Sequence, residues 1–167
     1  MSPKTAPYRR ALLCAFAALA LSLASGCASP GPKYSVVKKD FPALASNQGR
    51  IFFYRESGWG GALRPNIHLN GVTIGESVPG ECFYRDVPPG HYTVETHTEA
   101  SNEVSFKIAA GQVRYVKISI GMGFFVGHPK PRLMEPSDAE SDLDSLAYVD
   151  QVPEPSDSDA RIPASSR

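Results

Sequence analysis

Apolar and polar residues alternate with a period of two through much of the middle of the chain. The alternation is clearest over residues 92–97, where one set of side chains is Tyr, Val and Thr and the other is Thr, Glu and His. Residues 104–108 and 113–120 follow the same pattern, which is typical of strands with one buried face and one wet face. Residues 51–54 are apolar at every position, which indicates a central strand buried on both faces.

Turn residues separate these runs at short intervals. Asn70 and Gly71 stand between alternating apolar residues, and both tolerate the positive φ of a type I′ turn, which predicts a β-hairpin. The Pro-Pro-Gly of residues 88–90 and the Ala-Gly of residues 110–111 predict two further turns. About seven short strands with no long helical segment among them indicate an all-β fold, a single antiparallel β-sandwich.

The pattern changes beyond residue 134. Residues 137–148 predict one short C-terminal helix, with Ser137 as its N-cap and early acidic residues at its positive end. The Pro, Ser and Asp composition that follows predicts disorder. The expected organisation is a signal peptide with a signal helix (1–26), a tether (27–48), a β-sandwich domain (49–134), a short helix (135–149) and a disordered acidic tail (150–167).

The beginning of the chain has the pattern of an export signal. Residues 1–26 contain three basic residues and no acidic residue, and an apolar run over residues 11–24 follows the bases. A basic start, an apolar middle and small residues before a cleavage site are typical of a secretory signal peptide. The apolar run is shorter than the ~20 residues that a membrane-spanning helix needs, which favours the signal peptide.

Ala24-Ser25-Gly26-Cys27 resembles the bacterial lipobox, in which small residues precede a Cys that is acylated and becomes the first mature residue. The Leu usual three places before the Cys is replaced by Ala24, with Leu23 one place further out. The resemblance implies a lipoprotein with several acyl chains on Cys27. The alternative is an ordinary signal peptide cut near Gly26, with Cys27 a spare thiol. Ala28 stands where lipoproteins retained in the inner membrane often carry Asp, so the resemblance implies an outer-membrane protein facing the periplasm or the cell surface.

Charge and cysteine content limit the possible functions. Residues 27–134 hold 12 basic and 8 acidic residues, whereas residues 135–167 hold 2 basic and 9 acidic residues. The bases are scattered singly, which argues against nucleic-acid binding. Cys82 is the one thiol left in the folded part, so no intramolecular disulfide is expected there. Its apolar neighbours favour a buried, inert Cys over a catalytic thiol.

Two segments carry side chains that are found in metal or phosphate sites. Glu95, His97 and Glu99 fall on one face of a strand, but a metal site needs ligands that converge from several strands. A solvated polar face is the favoured interpretation, and we expect no metal and no cofactor. The Gly-rich segment 121–127 follows a strand but precedes no helix signal, so it lacks the context of a phosphate-binding loop. Its Phe124 and Phe125 are expected in the core rather than at an exposed patch.

Trp59 is the one tryptophan and lies in a Gly-rich loop. An aromatic residue displayed on a loop can anchor a protein contact or stack on a sugar, and the other interpretation is that Trp59 folds back over the domain edge. Trp59, Arg64 and His68 are therefore the candidate binding surface. The sequence contains no Gly-x-Ser-x-Gly elbow and no Cys–His pairing at a recognisable spacing, so the protein is not expected to be an enzyme.

The segments Gly49–Arg55, Pro65–Gly71 and Val87–Val94 resemble the bacterial lipoproteins that contain the domain of unknown function 2846, over roughly residues 45–135. The resemblance implies no catalytic or ligand site. The hairpin and the Pro-Pro-Gly-x-Tyr pattern are also similar to prealbumin-like and carboxypeptidase-regulatory-like sandwiches, including PEGA-type modules. That similarity implies structural roles for Gly90 in the turn and Tyr92 in the core.

Three functions follow as hypotheses. The first is a lipid-anchored envelope lipoprotein whose sandwich is a non-enzymatic interaction or structural module, with an envelope protein as its partner. The second is a carbohydrate- or peptidoglycan-binding module, which rests on fold resemblance alone. The third, a hydrolase or metal-dependent enzyme, requires His and acidic groups that converge in a pocket.

Overall fold

The computed structural model describes residues 31–58, 60–97, 101–121 and 127–151, and within these ranges the chain is mostly β. The strands are β1 (Gly49–Arg55), β2 (Asn66–Leu69), β3 (Val72–Glu76), β4 (Glu81–Val87), β5 (Gly90–His97), β6 (Ser101–Ile108), β7 (Val113–Gly121), β8 (His128–Met134) and β9 (Ala147–Tyr148). Two short helices are present: α1 (Tyr34–Val37) precedes β1, and α2 (Pro136–Leu143) lies between β8 and β9 in sequence. A 3-10 turn (Lys38–Asp40) follows α1. Among the described residues, none of the helices has the length and apolar character that a membrane-spanning segment requires.

The strands form two sheets whose facing sides share one core. The first sheet has the order β8-β7-β1-β4-β9 and the second has the order β3-β2-β5-β6. Both sheets contribute buried apolar side chains to the core between them, which is consistent with a β-sandwich. The members of this core are Ile51, Phe53, Ile67, Leu69, Ile74, Phe83, Val87, Tyr92, Val94, Phe106, Ile108, Val116 and Ile118.

The prediction of a purely antiparallel fold with about seven strands is wrong in two respects. β1 pairs in parallel with β7, and β4 pairs in parallel with β9, so the first sheet is mixed. The described residues also contain two more strands than expected. Alternation along one strand indicates which face is buried but does not specify the direction of its neighbour, and parallel pairs need long connections.

β1 is the central strand that its continuous apolar run predicts. All seven of its residues are buried, and Ile51 and Phe53 face the core between the sheets. Phe52 and Tyr54 face the other side, where a second apolar cluster lies beneath α1, α2 and β9. This second cluster also contains Tyr34, Cys82, Tyr115, Ala139, Leu143 and Leu146. The outer side of the first sheet is therefore covered by the two ends of the described chain.

Two predicted turns are confirmed. Asn70 and Gly71 have φ values of 51° and 81° and join β2 to β3 as a hairpin. The segment before Gly90 carries the chain from the first sheet to the second, and the buried Tyr92 donates a 2.8 Å hydrogen bond to the Pro88 carbonyl. Tyr92 therefore has the structural role that the resemblance implies, whereas Gly90 does not adopt a positive φ.

Two predictions for the C-terminal part need correction. No strand is predicted after residues 113–120, but residues 128–134 form β8, an edge strand that contains Pro129 and Pro131 and pairs with β7. An edge strand tolerates proline because its outward side needs no N–H partner. The predicted helix is shorter than expected: it begins at Pro136 with Glu135 as its N-cap, makes no side-chain cap hydrogen bond, and ends at Leu143. Ser137 is therefore not the cap, and Tyr148 lies in a strand.

Candidate functional site

An open cleft of about 610 Å³ lies on the outer side of the first sheet. Its walls come from three places: the segment around α1, the middle of β4, and the end of β9. The lining residues are Gly31, Pro32, Val37, Asp40, Phe41, Pro42, Tyr84, Tyr148, Val149 and Asp150. We refer to this surface as the aromatic cleft because of its three rings, Phe41, Tyr84 and Tyr148.

Backbone hydrogen bonds fix one wall of the aromatic cleft. The Tyr34 N–H donates to the Leu146 carbonyl at 2.8 Å, and the Tyr148 N–H donates to the Pro32 carbonyl at 2.7 Å. Lys33 forms an antiparallel bridge with Ala147. The part of the predicted tether that is described, from residue 31 onwards, is thus packed against the body of the protein.

The three rings contact one another closely. The Phe41 centroid lies 4.8 Å from that of Tyr148 and 5.2 Å from that of Tyr84. Tyr84 and Tyr148 are stacked at 5.9 Å with an interplanar angle of 22°. Such aromatic contacts contribute roughly 0.5–1.5 kcal/mol each beyond the area that they bury. The rings therefore hold α1 and β9 to β4 while leaving their outer edges at the cleft.

Arg50 supports the cleft from behind. Its guanidinium carbon lies 4.1 Å from the Tyr84 ring centroid, and Nε and Nη2 donate hydrogen bonds of 2.6 and 2.8 Å to the two carboxylate oxygens of Asp86. The hydrogen bonds with Asp86 raise the pKa of Arg50. Nη2 also donates to the Pro42 carbonyl at 3.0 Å, so one side chain joins β1, β4 and the segment after α1.

The lining of the cleft combines acidic and aromatic groups. Asp40 and Asp150 line it together with the three rings, and aromatic faces attract cations. Burial is the main cause that raises the pKa of Tyr148, and the neighbouring Tyr84 adds to it. The Tyr148 hydroxyl therefore stays protonated at neutral pH and acts as a hydrogen-bonding group rather than a base.

His68 is one of the three residues of the predicted binding surface, and it lies on the outer face of the second sheet. It pairs in register with Thr73 and Glu95, and its Nδ1 lies 3.2 Å from Thr73 Oγ1. Its ring meets that of His97 edge-on at 5.0 Å, and His97 Nε2 lies 3.3 Å from Glu95 Oε2. No group of three or more His, Cys, Asp or Glu in the described ranges is placed to hold a metal ion. Glu99, the third member of the predicted polar row, lies outside those ranges.

Arg64, the second member of the predicted surface, does not line the aromatic cleft. It is exposed in the loop before β2, and Trp59 lies outside the described residues. Residues 60–63 are held by the buried Arg55, whose Nη1 donates to the Leu63 carbonyl at 2.7 Å and whose Nη2 donates to the Gly60 carbonyl at 2.9 Å. Desolvation lowers the pKa of Arg55.

Cys82 is fully buried, as its apolar neighbours predict. Burial, with a smaller contribution from Glu81, raises the pKa of its thiol to about 12. A thiol in this state is protonated at neutral pH and is a poor nucleophile. Phe124 and Phe125, which we expected in the core, lie outside the described residues.

Sequence reasoning missed the aromatic cleft. Phe41 lies in the predicted tether (27–48) and Tyr148 in the predicted helix (137–148), whereas the structure brings both rings together with Tyr84 of β4. The sequence does contain one indication of the cleft, since Phe41, Tyr84 and Tyr148 are large aromatic residues. In the structure they lie outside the core between the two sheets and pack against the second apolar cluster. No local pattern joins residues that are so far apart in sequence.

The comparisons with known proteins give a family and one relative. The sequence profile of the family described as protein of unknown function (DUF2846) matches residues 45–128. An uncharacterised protein of Haemophilus influenzae is 28% identical over 111 residues, which are 66% of this chain and 66% of that protein. The chain thus spans just under two thirds of that relative. No solved structure matches the chain.

Proposed function

This chain belongs to the family described as protein of unknown function (DUF2846), and from that premise we propose that it is a lipid-anchored lipoprotein of the bacterial envelope with a non-enzymatic interaction module. Acylated Cys27 holds it in the outer membrane, and the body faces the periplasm or the cell surface. The body is a sandwich of the prealbumin-like or immunoglobulin-like kind. The hydrogen bond from Tyr92 to Pro88, which resembles the tyrosine corner of such sandwiches, supports this assignment.

One observation carries the proposal. Gly31, four residues after Cys27, lies on the rim of the aromatic cleft, so the lipobox-like segment leads directly to this apolar surface. Aromatic rings at an exposed cleft are typical anchors of binding surfaces. An acylated Cys27 would place this surface close to the membrane and to the envelope components beside it.

The state of the reactive groups supports a non-enzymatic role. Arg50 and Asp86 are engaged with each other behind the cleft. Glu140 accepts the hydroxyls of Tyr34 and Tyr115, and Cys82 is protonated and buried. Arg50, Asp86 and Glu140 have structural roles because they join separate elements of the fold. Cys82 is part of the second apolar cluster.

Acylation and location test the proposal together. The wild type and the Cys27→Ala and Cys14→Ala variants are expressed in bacteria grown with labelled palmitate, and soluble, inner-membrane and outer-membrane fractions are separated. We expect label in the outer membrane for the wild type and for Cys14→Ala, because Cys14 lies in the predicted signal peptide. Cys27→Ala should carry no label. A soluble, unlabelled wild type would overturn the proposal.

A second candidate function is binding of a glycan such as peptidoglycan. The stacked rings of Tyr84 and Tyr148 at the cleft favour it, because aromatic faces pack well on sugar rings. Pelleting of the protein with cell-wall sacculi tests it, with Tyr148→Ala as the variant and Lys107→Ala, an exposed position on the other sheet, as the control. Equal recovery of all three proteins would remove the cleft as a glycan site.

A further inference from the structure

We infer that the aromatic cleft faces the bilayer and contacts the head groups of the phospholipids around the anchor. This inference rests on the proposed acylation of Cys27 and adds to it the orientation of the body and the chemistry of the surface that it contacts. Three observations lead to it: where the chain joins the cleft, how short the connection is, and which groups line the surface.

The point at which the chain reaches the body is fixed. A Cβ built on Gly31 would overlap the carbonyl oxygen of Tyr148, so the backbone at residue 31 approaches β9 as closely as only glycine allows. The hydrogen bond from Tyr148 to Pro32 and that from Tyr34 to Leu146 follow immediately. Tyr34 is buried and donates a further hydrogen bond to Glu140 at 2.9 Å.

The connection between the anchor and this point is short. Four residue steps separate Cys27 from Gly31 in the sequence, and an extended chain spans at most ~3.3–3.6 Å per residue, or about 14 Å. A tether that remained free to residue 48 would span up to about 70 Å on the same basis. The packing of residues 31–48 thus holds the rim of the cleft within about 14 Å of the acylated Cys27.

The lining of the cleft suits the interface of a membrane. Tyrosine has an apolar body and a polar tip and is enriched where one side is apolar and the other is wet. Tyr84 and Tyr148 are placed in this way, and Val37 and Val149 add apolar surface. Lys33 and Lys39 are exposed and are next in sequence to the lining residues Pro32 and Asp40, and lysines at a membrane surface favour contact with lipid phosphates.

The acidic groups specify the head group further. Asp40 and Asp150 line the cleft together with its rings, and carboxylates beside aromatic faces attract an ammonium group. A zwitterionic phospholipid with a primary ammonium therefore complements the cleft: its ammonium pairs with Asp40 and Asp150, and its phosphate with the nearby lysines. A neutral glycan strand would use the rings but offers no cationic group to Asp40 and Asp150.

Site-directed spin labelling of the full acylated protein tests the inference. Pro42→Cys places a nitroxide at the exposed edge of the cleft, and Lys107→Cys places one on the outer face of the other sheet. Cys82 is buried and does not compete for the label. Each protein is reconstituted in vesicles of phosphatidylethanolamine and phosphatidylglycerol, its intact mass is measured, and its accessibility to oxygen and to a nickel chelate is compared.

We expect the label at residue 42 to lose accessibility to the nickel chelate relative to the label at residue 107, and to gain accessibility to oxygen. Gly31→Ala, which breaks the close approach to β9 and frees the segment, should reverse this loss while the acyl mass remains. Acylated protein with both labels equally exposed to water would overturn the inference and leave the proposed function standing. Protection of residue 42 by soluble peptidoglycan fragments but not by vesicles would overturn it in favour of the glycan. An unacylated Cys27 would overturn both proposals.

Discussion

The hydroxyl of Tyr34 donates a 2.9 Å hydrogen bond to Oε1 of Glu140, across 106 residues of sequence. It joins the segment that enters the fold to the helix that follows its last long strand. The same oxygen accepts the Tyr115 hydroxyl of β7 at 2.7 Å. One carboxylate therefore connects α1, α2 and the first sheet, and these elements form the layer on which the aromatic cleft is built.

Removal of the Glu140 carboxylate should destabilise the packing of α1 and α2 on the first sheet. Hydrogen bonds to charged groups contribute more than neutral ones, about 1.5–3 kcal/mol each. Because Glu140 is partly exposed, we expect Glu140→Ala to lower the free energy of unfolding by about 2 kcal/mol. Urea unfolding measures the change, and Ser141→Ala, at an exposed position of the same helix, is the control. Equal stabilities of the two variants would contradict the role assigned to Glu140.

Phe41 is expected to control the attachment of the segment before β1. Its ring contacts Tyr34, Phe52, Tyr84 and Tyr148. Phe41→Ala should weaken this attachment by about 2 kcal/mol, less than for a fully buried Phe, and should speed tryptic cleavage after Lys38 and Lys39. The matched control is Val36→Ala, because Val36 is 58% exposed. Unchanged cleavage in Phe41→Ala would show that the ring cluster does not hold the segment.

The substitution Gly71→Ala tests the conformation of the hairpin between β2 and β3. The Gly71 φ of 81° lies in the left-handed region and nothing lies within 4 Å of a Cβ placed there, so Gly71→Ala acts through backbone strain alone. We expect a loss of about 1 kcal/mol in the free energy of unfolding. Gly61→Ala, where the φ is not positive and space is also open, should be close to neutral. Thermal unfolding of both variants measures the difference, and an equal effect would argue against the type I′ turn.

The buried thiol of Cys82 should make the free energy of unfolding depend on pH in the alkaline range. The pKa of this thiol is about 12 in the folded state against 9.0 for the free group, so the folded state keeps a proton that the unfolded state releases. The resulting stability is fully present below pH 9 and is lost as the pH rises from 9 towards 12. Between pH 8 and pH 10 the wild type should lose about 1 kcal/mol more than Cys82→Ala.

Urea unfolding of the wild type and of Cys82→Ala at pH 8, 9 and 10 measures this difference. The variant also loses packing, but that loss is a constant offset and does not change with pH. Parallel pH profiles for the two proteins would contradict the raised pKa of the Cys82 thiol.

The parts of the fold that follow from local patterns could be predicted from the sequence. Alternation identified the buried face of β5, the continuous apolar run identified β1 as central, and Asn70-Gly71 identified a hairpin. The parallel pairing of β1 with β7 could not be predicted, because side-chain periodicity is the same in either direction. β8 was missed because proline is tolerated only at an edge, and the sequence does not show which strand is the edge.

The candidate site was harder to predict than the fold. Tyr148 was assigned to a helix because Leu143 and Leu146 share a helical face with Ala139 in the sequence. In the structure the helix ends at Leu143, and the chain turns back to pair with β4. The aromatic cleft depends on that change of direction, and only long-range contacts determine it.

Intact-mass analysis of the protein extracted from bacterial membranes shows whether Cys27 is the acylated first residue. We expect a chain that begins at Cys27 and whose mass exceeds that of the polypeptide by a lipid group with several acyl chains. The Cys27→Ala variant should lack this added mass. An unmodified Cys27 thiol in the wild-type protein would refute the lipid anchor and, with it, the proposed location.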